Sequence, residues 1–474
     1  MMSDGSPILL WFRRDLRLAD HPALHAAAET GRPVIPVFLL DEVVEGHGAA
    51  PKWRLGLGVE HFAGRLEAIG SRLVLRRGDA LPTLRRLVKA TGAGAVWWTR
   101  AYDPQARKRD EAVKAGLKAD GIEARSFPGH VLNEPWTVET GQGGFYRVYT
   151  PFWNAVKNRD PGRQLPAPSA LKAPAAWPES DNIADWEMGV AMKRGAMVVA
   201  GHVNVGEEAA RGRLAGFTGH RIADYAATRD FPAEDGTSRL SENLTYGEIS
   251  VRACCHAGMR AREEGKTGAE TFLKELVWRD FAYHLVHHTP HIVAESWRAE
   301  WRSFPWNRNQ RLEGVRSWKR GRTGIELVDA AMREMCVTGT MHNRGRMIVA
   351  SYLTKHLLTD WRVGLRWFED CLIDWDPASN ALGWQWTAGS GPDAAPYFRV
   401  FNPETQAAKF DADRRYRRKW IAEGQKRPPQ TALDYFEAIP KGWQMAPDDP
   451  YPEPLVDPAE GRERALAAYA DWKS

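Results

Sequence analysis

Two carboxylates, two amides and three tryptophans lie within the thirteen residues DWDPASNALGWQW, which run from Asp374 to Trp386. Indole rings stack well on planar ligands and on unstacked bases, whereas a buried carboxylate needs a charged or hydrogen-bonding partner. The whole chain holds 21 tryptophans, more than the packing of an ordinary core requires. Segment and composition together predict a bound planar molecule, a nucleobase, or both.

Two further segments carry charged and aromatic residues at regular spacing. In MHNRGRM, residues 341–347, Arg346 could pair with Asp374 as a buried ion pair, and such pairs are often only structural. In ELVWRDF, residues 275–281, Glu275 and Trp278 are three positions apart and share one face of a helix. This pair could bind a ligand. Alternatively, Glu275 forms a salt bridge and Trp278 packs in the core.

Hydroxyl and imidazole clusters have a structural and a functional interpretation. TSRLS, residues 237–241, precedes an apolar helical run, and its hydroxyls favour a helix N-cap over a diphosphate site. Four histidines at positions 284, 287, 288 and 291 have a spacing that can bind a metal, but no carboxylate or cysteine completes the set. We therefore predict a polar helix end there and no metal site.

Composition bounds the class of protein. The net charge of +5 is compatible with nucleic-acid binding but is weak evidence for it. Four cysteines without C-x-x-C spacing predict neither a disulfide framework nor a zinc site. The opening MMSDGSP has no signal-peptide pattern, and no apolar run approaches the roughly 18 residues of a membrane span. We predict a cytoplasmic protein that does not bind membranes.

The elements that must position these residues follow from hydrophobic patterning. Short apolar runs alternate with helix-like stretches over the first 130 residues, which predicts a parallel sheet flanked by helices. No G-x-G-x-x-G follows the first run, which argues against an ordinary dinucleotide site. The predicted strands are 8–12, 34–40, 72–79, 95–100 and 123–129.

The rest of the chain has a different character. Residues 131–203 are rich in Pro, Gly and Ala and predict a connector laid over a surface, whereas helical periodicity dominates from about residue 204. The helical segments are 205–217, 269–288 and 324–335, and the Pro-rich tail after about 425 is predicted to be irregular. The predicted units are an α/β domain over 1–130, the connector over 131–203 and a helical domain over 204–474.

Five motifs, taken in order, resemble those of the photolyase/cryptochrome family of blue-light flavoproteins. They are WFRRDLRLADHPAL, SRLSENLTYGEIS, ELVWRDF, MHNRGRM and DWDPASNALGWQW, and the resemblance extends from about residue 8 to 425. It implies a Rossmann-like α/β antenna-binding domain followed by an all-α domain that holds FAD.

The resemblance implies which residues hold the flavin. The Arg346–Asp374 pair would lie against the flavin, Asp376 would meet the edge of its ring, and Asn380 would face flavin N5. Plant cryptochromes usually carry Asp at the Asn380 position and insect cryptochromes Cys, so an amide favours a repair enzyme. The hydroxyls of TSRLS become pyrophosphate contacts in this reading. The remaining implied flavin contacts are Tyr225, Thr237, Ser238, Leu240, Ser241 and Arg279.

Three tryptophans match the relay that carries an electron from the protein surface to the photoexcited flavin. They are Trp384, Trp361 and Trp306. For any one of them alone, core packing is the competing interpretation. Indole suits a relay because it is oxidised reversibly and stacks at short range.

The family also implies a pocket for damaged DNA. Trp278 and Trp386 would stack on a flipped-out pyrimidine dimer, and Glu275 would hydrogen-bond to its base edges. Met347 would contact the apolar ring; (6-4) photolyases have His at this position, so Met indicates cyclobutane dimers. Asn343 and Arg344 would contact the lesion and the adjacent phosphate, with Arg229 and Gln406 completing the set.

The predicted function is light-dependent repair of cyclobutane pyrimidine dimers in UV-damaged DNA, by a bacterial monomer associated with the nucleoid through DNA. A cryptochrome light sensor and a (6-4) photolyase are the alternatives within the family. A flavin enzyme acting on dissolved substrates is the alternative outside it, and no nicotinamide fingerprint supports that reading. Dispersed basic residues could track phosphates around the pocket or form a solvated face: Arg399, Arg414, Arg415, Arg417, Arg418 and Lys419, besides Arg229 and Arg344.

A second, antenna chromophore is also implied. Enterobacterial folate-binding members carry an Asn-Glu pair after the fourth strand, where this chain has Gln105 and Ala106. The segments 129–153 and 75–88 look most like a bacterial group related to plant cryptochromes, which binds methenyltetrahydrofolate. Methenyltetrahydrofolate is therefore favoured over a deazaflavin or an empty pocket.

Overall fold

The computed structural model describes residues 5–474, and its N-terminal part is built on a five-stranded parallel sheet in the order β3-β2-β1-β4-β5. β1, β2 and β4 are buried along their whole length, which explains their uninterrupted apolar sequences. Each strand lies within its predicted range, so the α/β prediction is confirmed. The strands are β1 (Ile8–Phe12), β2 (Val34–Leu40), β3 (Val74–Arg77), β4 (Ala95–Thr99) and β5 (Glu123–Phe127).

Helices connect the strands and cover both faces of the sheet. The strand order reverses its direction between the parallel neighbours β1 and β4, and at such a point α/β sheets commonly open a crevice at their carboxyl edge. These helices are α1 (Pro22–Glu29), α2 (Glu42–Glu45), α3 (Ala49–Ala68), α4 (Ala80–Thr91) and α5 (Pro104–Ala119).

The second half is entirely helical, as predicted. Its central helices include the three segments with helical periodicity. They are α8 (Glu207–His220), α9 (Tyr225–Thr228), α10 (Ser241–Thr245), α11 (Val251–Glu263), α12 (Ala269–His288), α13 (Glu313–Lys319), α14 (Glu326–Thr338), α15 (Asn343–Ser351), α16 (Trp361–Cys371), α17 (Pro377–Ala388), α18 (Pro403–Phe410) and α19 (Arg415–Trp420). A π-helical stretch, Tyr352–His356, extends α15. No helix within residues 5–474 is long and apolar enough to cross a bilayer.

The structure corrects the prediction of an irregular tail and adds two short helices to the predicted connector. The tail after residue 425 contains α20 (Gln430–Ala438) and α21 (Pro458–Lys473), because prolines flank these helices without interrupting them. The predicted connector contains α6 (Tyr149–Val156) and α7 (Gly195–Ala200), and it does not lie only on the surface. Phe152 is buried in the helical core and Met188 is buried against the N-terminal domain.

A buried arginine joins the two domains. Arg54 in α3 is inaccessible to solvent; its Nε donates to Glu242 at 2.9 Å, and its Nη atoms donate to both oxygens of Glu248 at 2.9 and 2.8 Å. Arg14, just after β1, donates to the carbonyls of Thr245 and Trp375, both at 2.8 Å. Buried, paired charges of this kind fix the helical domain against the carboxyl edge of the sheet.

Candidate functional site

The N-terminal turn of α17 holds two predicted site residues in fixed orientations. Asp376 caps the helix, because its Oδ1 accepts the backbone N–H of Ser379 at 2.8 Å. The hydroxyl of Tyr283 donates to Asp376 Oδ2, and burial followed by this carboxylate raises the pKa of Tyr283 well above its usual value. Asn380 Nδ2 donates to the carbonyl of Leu365 at 3.1 Å, which fixes the amide and leaves its Oδ1 directed elsewhere.

The predicted pair of Arg346 and Asp374 is present. Arg346 Nη2 lies 3.0 and 2.7 Å from the two oxygens of Asp374. The arginine is also anchored through Nε to the carbonyl of Met341 at 2.8 Å. The Asp374 carboxylate is buried, whereas 29% of the Arg346 side chain is exposed. The outer side of the guanidinium can therefore still contact a ligand.

The TSRLS segment does not cap a helix, so the N-cap interpretation was wrong. α10 starts at Ser241, its N-cap residue is Leu240, and no side chain accepts a hydrogen bond there. Ser238 Oγ accepts the N–H of Leu240 at 3.4 Å. Within residues 5–474 the hydroxyls of Thr237 and Ser241 make no hydrogen bond. These hydroxyls are available to an anionic ligand, and the buried ring of Tyr225 is close by in the chain.

The open face of α17 fits a large planar cofactor. Gly383 is exposed although α17 packs against α12, α15 and α16, and a Cβ built on it meets no atom within 4 Å. Gly383 lies one turn from Asn380 and two turns from Asp376, so the three share a face. The amide and the carboxylate on this open face, the nearby guanidinium of Arg346 and the free hydroxyls of Thr237 and Ser241 match the polar edges and diphosphate of FAD.

Arg279, the remaining implied flavin contact, is engaged by the protein. Its Nη1 donates to the carbonyl of His130 at 2.6 Å, and its Nη2 lies 3.0 Å from His130 Nε2. Burial and this guanidinium hold the pKa of His130 well below its usual value. A contact between Arg279 and the cofactor stays a prediction.

Glu275 and Trp278 lie together on α12, each with a partner outside it. Arg229 Nη1 donates to Glu275 Oε1, so two predicted lesion contacts pair with each other. Trp278 stacks on Tyr149, with ring centroids 3.7 Å apart and planes within 6° of parallel. The Tyr149 hydroxyl is fixed on the carbonyl of Lys274 at 2.7 Å. One face of the indole is therefore covered, and a base could stack only on the other.

The other predicted lesion contacts lie on α15, α17 and α18. Asn343 Nδ2 approaches Met347 Sδ at 3.9 Å, as expected for residues four apart on one helix. Arg344 pairs with Asp230 at 2.7 Å. Gln406 Oε1 is buried without a hydrogen-bond partner within residues 5–474, which marks it as an acceptor awaiting a donor. Trp386 is half-buried and stacks loosely on Phe401, with centroids 6.4 Å apart.

The segment that holds Arg229 and Asp230 links α12 to α15. Arg229 pairs with Glu275 of α12, and the next residue, Asp230, pairs with Arg344 of α15. The guanidinium of Arg344 also lies 4.2 Å from the ring centroid of Phe410 at the end of α18. Four elements therefore converge on the predicted lesion pocket.

The three predicted relay tryptophans belong to one hydrophobic core. Trp384 packs on Gly364, where a Cβ would overlap the indole, so a glycine one turn after Trp361 permits the close approach of α16 and α17. Trp306 lies beside the bridge between Asn307 and Thr359, two residues before Trp361. This arrangement brings the three side chains into one region.

Several of the dispersed basic residues are neutralised by carboxylates. Arg414 and Arg417 pair with Glu326, and Arg415 pairs with Glu234. Within residues 5–474, Arg399 and Arg418 form no ion pair. Only a few of these basic residues are therefore available to bind phosphates, and they do not form a continuous rim around the predicted lesion pocket.

The histidine cluster is part of the packing between α12 and the segment around Pro135. His284 Nδ1 and His288 Nε2 approach the Pro135 carbonyl at 3.2 and 3.3 Å. Burial lowers the pKa of His284 and of His287 to about 4. Among residues 5–474 no group of three or more His, Cys, Asp or Glu side chains is arranged to hold a metal ion.

A cavity of about 290 Å³ opens at the carboxyl edge of the sheet, between the two domains. Gln105 and Ala106 line it, so the two residues that replace the Asn-Glu pair face this cleft. Arg14 and Arg366, which form no ion pair within residues 5–474, also line it, and Asn380 lies at its border with the helical domain. The walls therefore offer positive charge and amide groups to a second ligand. Ala106 places a methyl group where the enterobacterial folate-binding members have the carboxylate of Glu.

Asp280 of α12 predicts a specific pH dependence of stability. Burial raises the pKa of its carboxyl to about 6, although it accepts hydrogen bonds from the backbone of Leu132 at 3.1 Å and of Asn133 at 2.8 Å. The unfolded pKa is 3.8, so the folded state binds the extra proton between about pH 4 and 6. This contribution, about 3 kcal/mol, is complete below pH 4 and lost as the pH rises through 6.

We expect the melting temperature of Asp280→Asn to fall less than that of the wild type between pH 4.5 and 7. Thermal unfolding across this range measures the difference in slope, which does not depend on the absolute stability of the variant. Asp120→Asn is the control, since that carboxylate pairs with Arg85 at the surface. Parallel curves for wild type and Asp280→Asn would contradict the assignment.

Two residues of the site were missed in the sequence. Tyr283 lies eight residues after Glu275 on α12, and helical spacing alone could have pointed to it. Tyr149 lies in the Pro- and Gly-rich segment, and no local signal places it against Trp278.

Comparison with known families gives two matches that together span most of the chain. Residues 8–171 match the family model "DNA photolyase", and residues 272–471 match "FAD binding domain of DNA photolyase". Among curated proteins, a deoxyribodipyrimidine photo-lyase of Agrobacterium fabrum is 44% identical over 474 residues, covering 99% of this chain and 98% of that one. The enzyme of the same name from Escherichia coli is 34% identical, with 97% and 98% covered.

Solved structures give the same result. A bacterial class III photolyase from Agrobacterium tumefaciens superimposes with a TM-score of 0.90 at 43% identity, covering 100% of this chain and 99% of the other. An archaeal photolyase from Sulfolobus tokodaii with two FAD molecules gives 0.80 at 28% identity, with 98% and 100% covered. A Synechocystis cryptochrome gives 0.82, also at 28% identity, with 98% and 100% covered.

Proposed function

This chain belongs to the photolyase/cryptochrome family, and from that premise we propose that it is a deoxyribodipyrimidine photolyase, which repairs cyclobutane pyrimidine dimers in UV-damaged DNA by light. The observation that carries the proposal is the set of contacts by which Arg229, Asp230 and Arg344 draw α12, α15 and α18 together. On these helices lie a carboxylate, an indole with one covered face, a thioether and a buried unpaired amide oxygen. These groups match two adjacent pyrimidines of one strand, flipped out together and joined by an apolar cyclobutane ring.

The flavin-side residues are proposed to hold and orient FAD. The outer edge of Arg346, set by Asp374, and the Asp376 carboxylate would meet the polar edge of the ring. Asn380 would present its Oδ1 to N5, because its Nδ2 is already committed to Leu365. Reduced FAD, when bound and excited by blue light, supplies one electron to the dimer and regains it after the cyclobutane ring opens.

The lesion-side residues are proposed to bind and position the dimer. The pocket takes the two bases out of the helix, and the poor stacking of a damaged step lowers the cost. Trp278 offers the face opposite Tyr149 and Trp386 offers a second indole. To hydrogen-bond to the edge of a base, Glu275 must give up part of its ion pair with Arg229. Arg229 is then free to contact the adjacent phosphate. Contacts to phosphate are independent of sequence, so the partner is damaged DNA in general.

The alternatives within the family are less well supported by the site. The family resemblance associates an amide at the Asn380 position with repair, and Met347, beside Asn343, offers no proton donor where the resemblance implies a histidine in (6-4) photolyases. The structural similarity to a cryptochrome reflects the shared family fold at 28% identity.

Lesion class is tested with two oligonucleotides, one carrying a cyclobutane thymine dimer and one a (6-4) photoproduct. The protein, with its flavin chemically reduced, is illuminated with each, and the products are separated by chromatography. We expect repair of the cyclobutane dimer only. Repair of the (6-4) product, or of neither with flavin bound, would contradict the proposal.

A second chromophore is proposed to be methenyltetrahydrofolate. The inter-domain cleft supports a second ligand, because its cationic wall suits the carboxylates of a folate tail. We expect mass spectrometry of the denatured holoprotein to detect FAD together with a reduced folate. A deazaflavin, or FAD alone after reconstitution with the folate, would contradict this assignment. The monomeric state and the cytoplasmic, nucleoid-associated location remain predictions.

A further inference from the structure

Trp306, the outermost residue of the proposed relay, is not at the surface. It is 8% exposed, and its Nε1 points inward, to the carbonyl of Thr354 at 3.4 Å. A relay that is refilled from solution must end on a ring that a dissolved reductant can touch. A buried terminus therefore leaves the electron path incomplete.

A stack of further indoles continues from Trp306 towards solvent. Trp301 lies face to face with it, with centroids 5.4 Å apart and planes within 21°. Trp472, near the end of α21, lies 4.8 Å from Trp301, centroid to centroid. Trp301 is 4% exposed, whereas Trp472 is only half-buried and its Nε1 donates to Ser303 Oγ at 2.9 Å. Each separation is within the range of direct aromatic contact.

The tyrosines beside this stack form a less suitable branch. Tyr397 is 5.3 Å from Trp301 and 4.8 Å from Tyr469, ring to ring. Oxidation of a phenol requires loss of its proton, and the buried Tyr397 hydroxyl has no hydrogen-bond partner within residues 5–474. An indole can lose an electron and keep its proton, which favours the tryptophan branch.

We infer that Trp301 and Trp472 extend the electron relay from Trp306 to the protein surface. The inference rests on the proposed photolyase relay. After Trp306 gives its electron inward, Trp301 reduces it and is oxidised, and Trp472 in turn reduces Trp301. A dissolved one-electron reductant such as a thiolate then reduces Trp472 and becomes a thiyl radical. No covalent bond of the protein forms or breaks, and one electron enters for each that moves inward.

The test follows the tryptophan radical by transient absorption after a light flash, with increasing dithiothreitol, in the FAD-loaded protein. We expect Trp472→Phe and Trp301→Phe to form the radical as the wild type does but to lose severalfold of its quenching by the thiol. Trp443→Phe is the matched control, because this half-buried tryptophan packs under Arg320 instead. Quenching at the wild-type rate in both variants would overturn the inference.

Covalent trapping gives an independent readout. Illumination with a spin trap, followed by peptide mass spectrometry, should locate the adduct at Trp472, and an adduct only at Trp306 would contradict the extension. Trp384→Phe distinguishes a failure of the proposed relay itself from a failure of its extension through Trp301 and Trp472. If that variant still forms the radical normally, the proposed relay itself is wrong and its extension falls with it.

Discussion

Trp384→Phe should abolish photoreduction of the oxidised flavin while sparing repair by protein whose flavin has been reduced chemically. Trp384 lies one turn after Asn380 on α17 and is buried against Gly364, so we propose it as the relay ring nearest to the flavin. Phenylalanine is much harder to oxidise than indole but keeps most of its volume. The smaller ring costs about 1–3 kcal/mol of stability, which leaves the protein folded.

Flavin absorbance during blue illumination with a thiol measures this effect. Trp420→Phe is the matched control, since Trp420 is as buried as Trp384 in the same core but contacts Tyr416 instead of the relay. We expect the control to photoreduce like the wild type. Normal photoreduction by Trp384→Phe would show that electrons reach the flavin by another route.

Trp278→Ala should weaken binding of dimer-containing DNA and leave binding of undamaged DNA unchanged. One indole face is already covered by Tyr149, so the variant removes the stacking surface offered to the lesion. Loss of base–aromatic stacking costs about 1–3 kcal/mol, or roughly 5- to 150-fold in affinity. Non-specific binding depends on phosphate contacts, which this side chain does not make.

Competition binding with matched oligonucleotides, with and without one thymine dimer, measures the change. Flavin absorbance of the variant verifies that the cofactor site is intact. Trp136→Ala serves as the control, because Trp136 is an exposed tryptophan that packs over Arg100. An equal loss of affinity for both oligonucleotides would remove Trp278 from the lesion pocket.

The centre of the sheet was predictable because β1, β2 and β4 are buried on both faces and therefore have unbroken apolar sequences. α12 was predictable from its length and periodicity. α20 and α21 were missed because flanking prolines and low hydropathy resemble a loop, and only burial of Tyr435 and Ala465 reveals their packing.

The site was identified through motif resemblance more than through local physics. Nothing in the sequence predicts that Arg229 pairs with Glu275 or that Tyr149 covers Trp278, because both contacts join segments far apart in the chain. The burial of Trp306 was also not predictable. The segment that precedes Trp306 packs against α21 through Trp301 and Trp472, which are far apart in the chain. Long-range packing of this kind is visible only in the folded structure.

The central claim is that light drives repair of a cyclobutane dimer held in this pocket. The most direct measurement is the recovery of thymine absorbance when protein with chemically reduced flavin is mixed with dimer-containing DNA and illuminated with blue light. We predict recovery in the light and none in the dark, with Trp384→Phe recovering as well as the wild type. Absence of light-dependent recovery by protein that binds both flavin and the damaged DNA would contradict the claim.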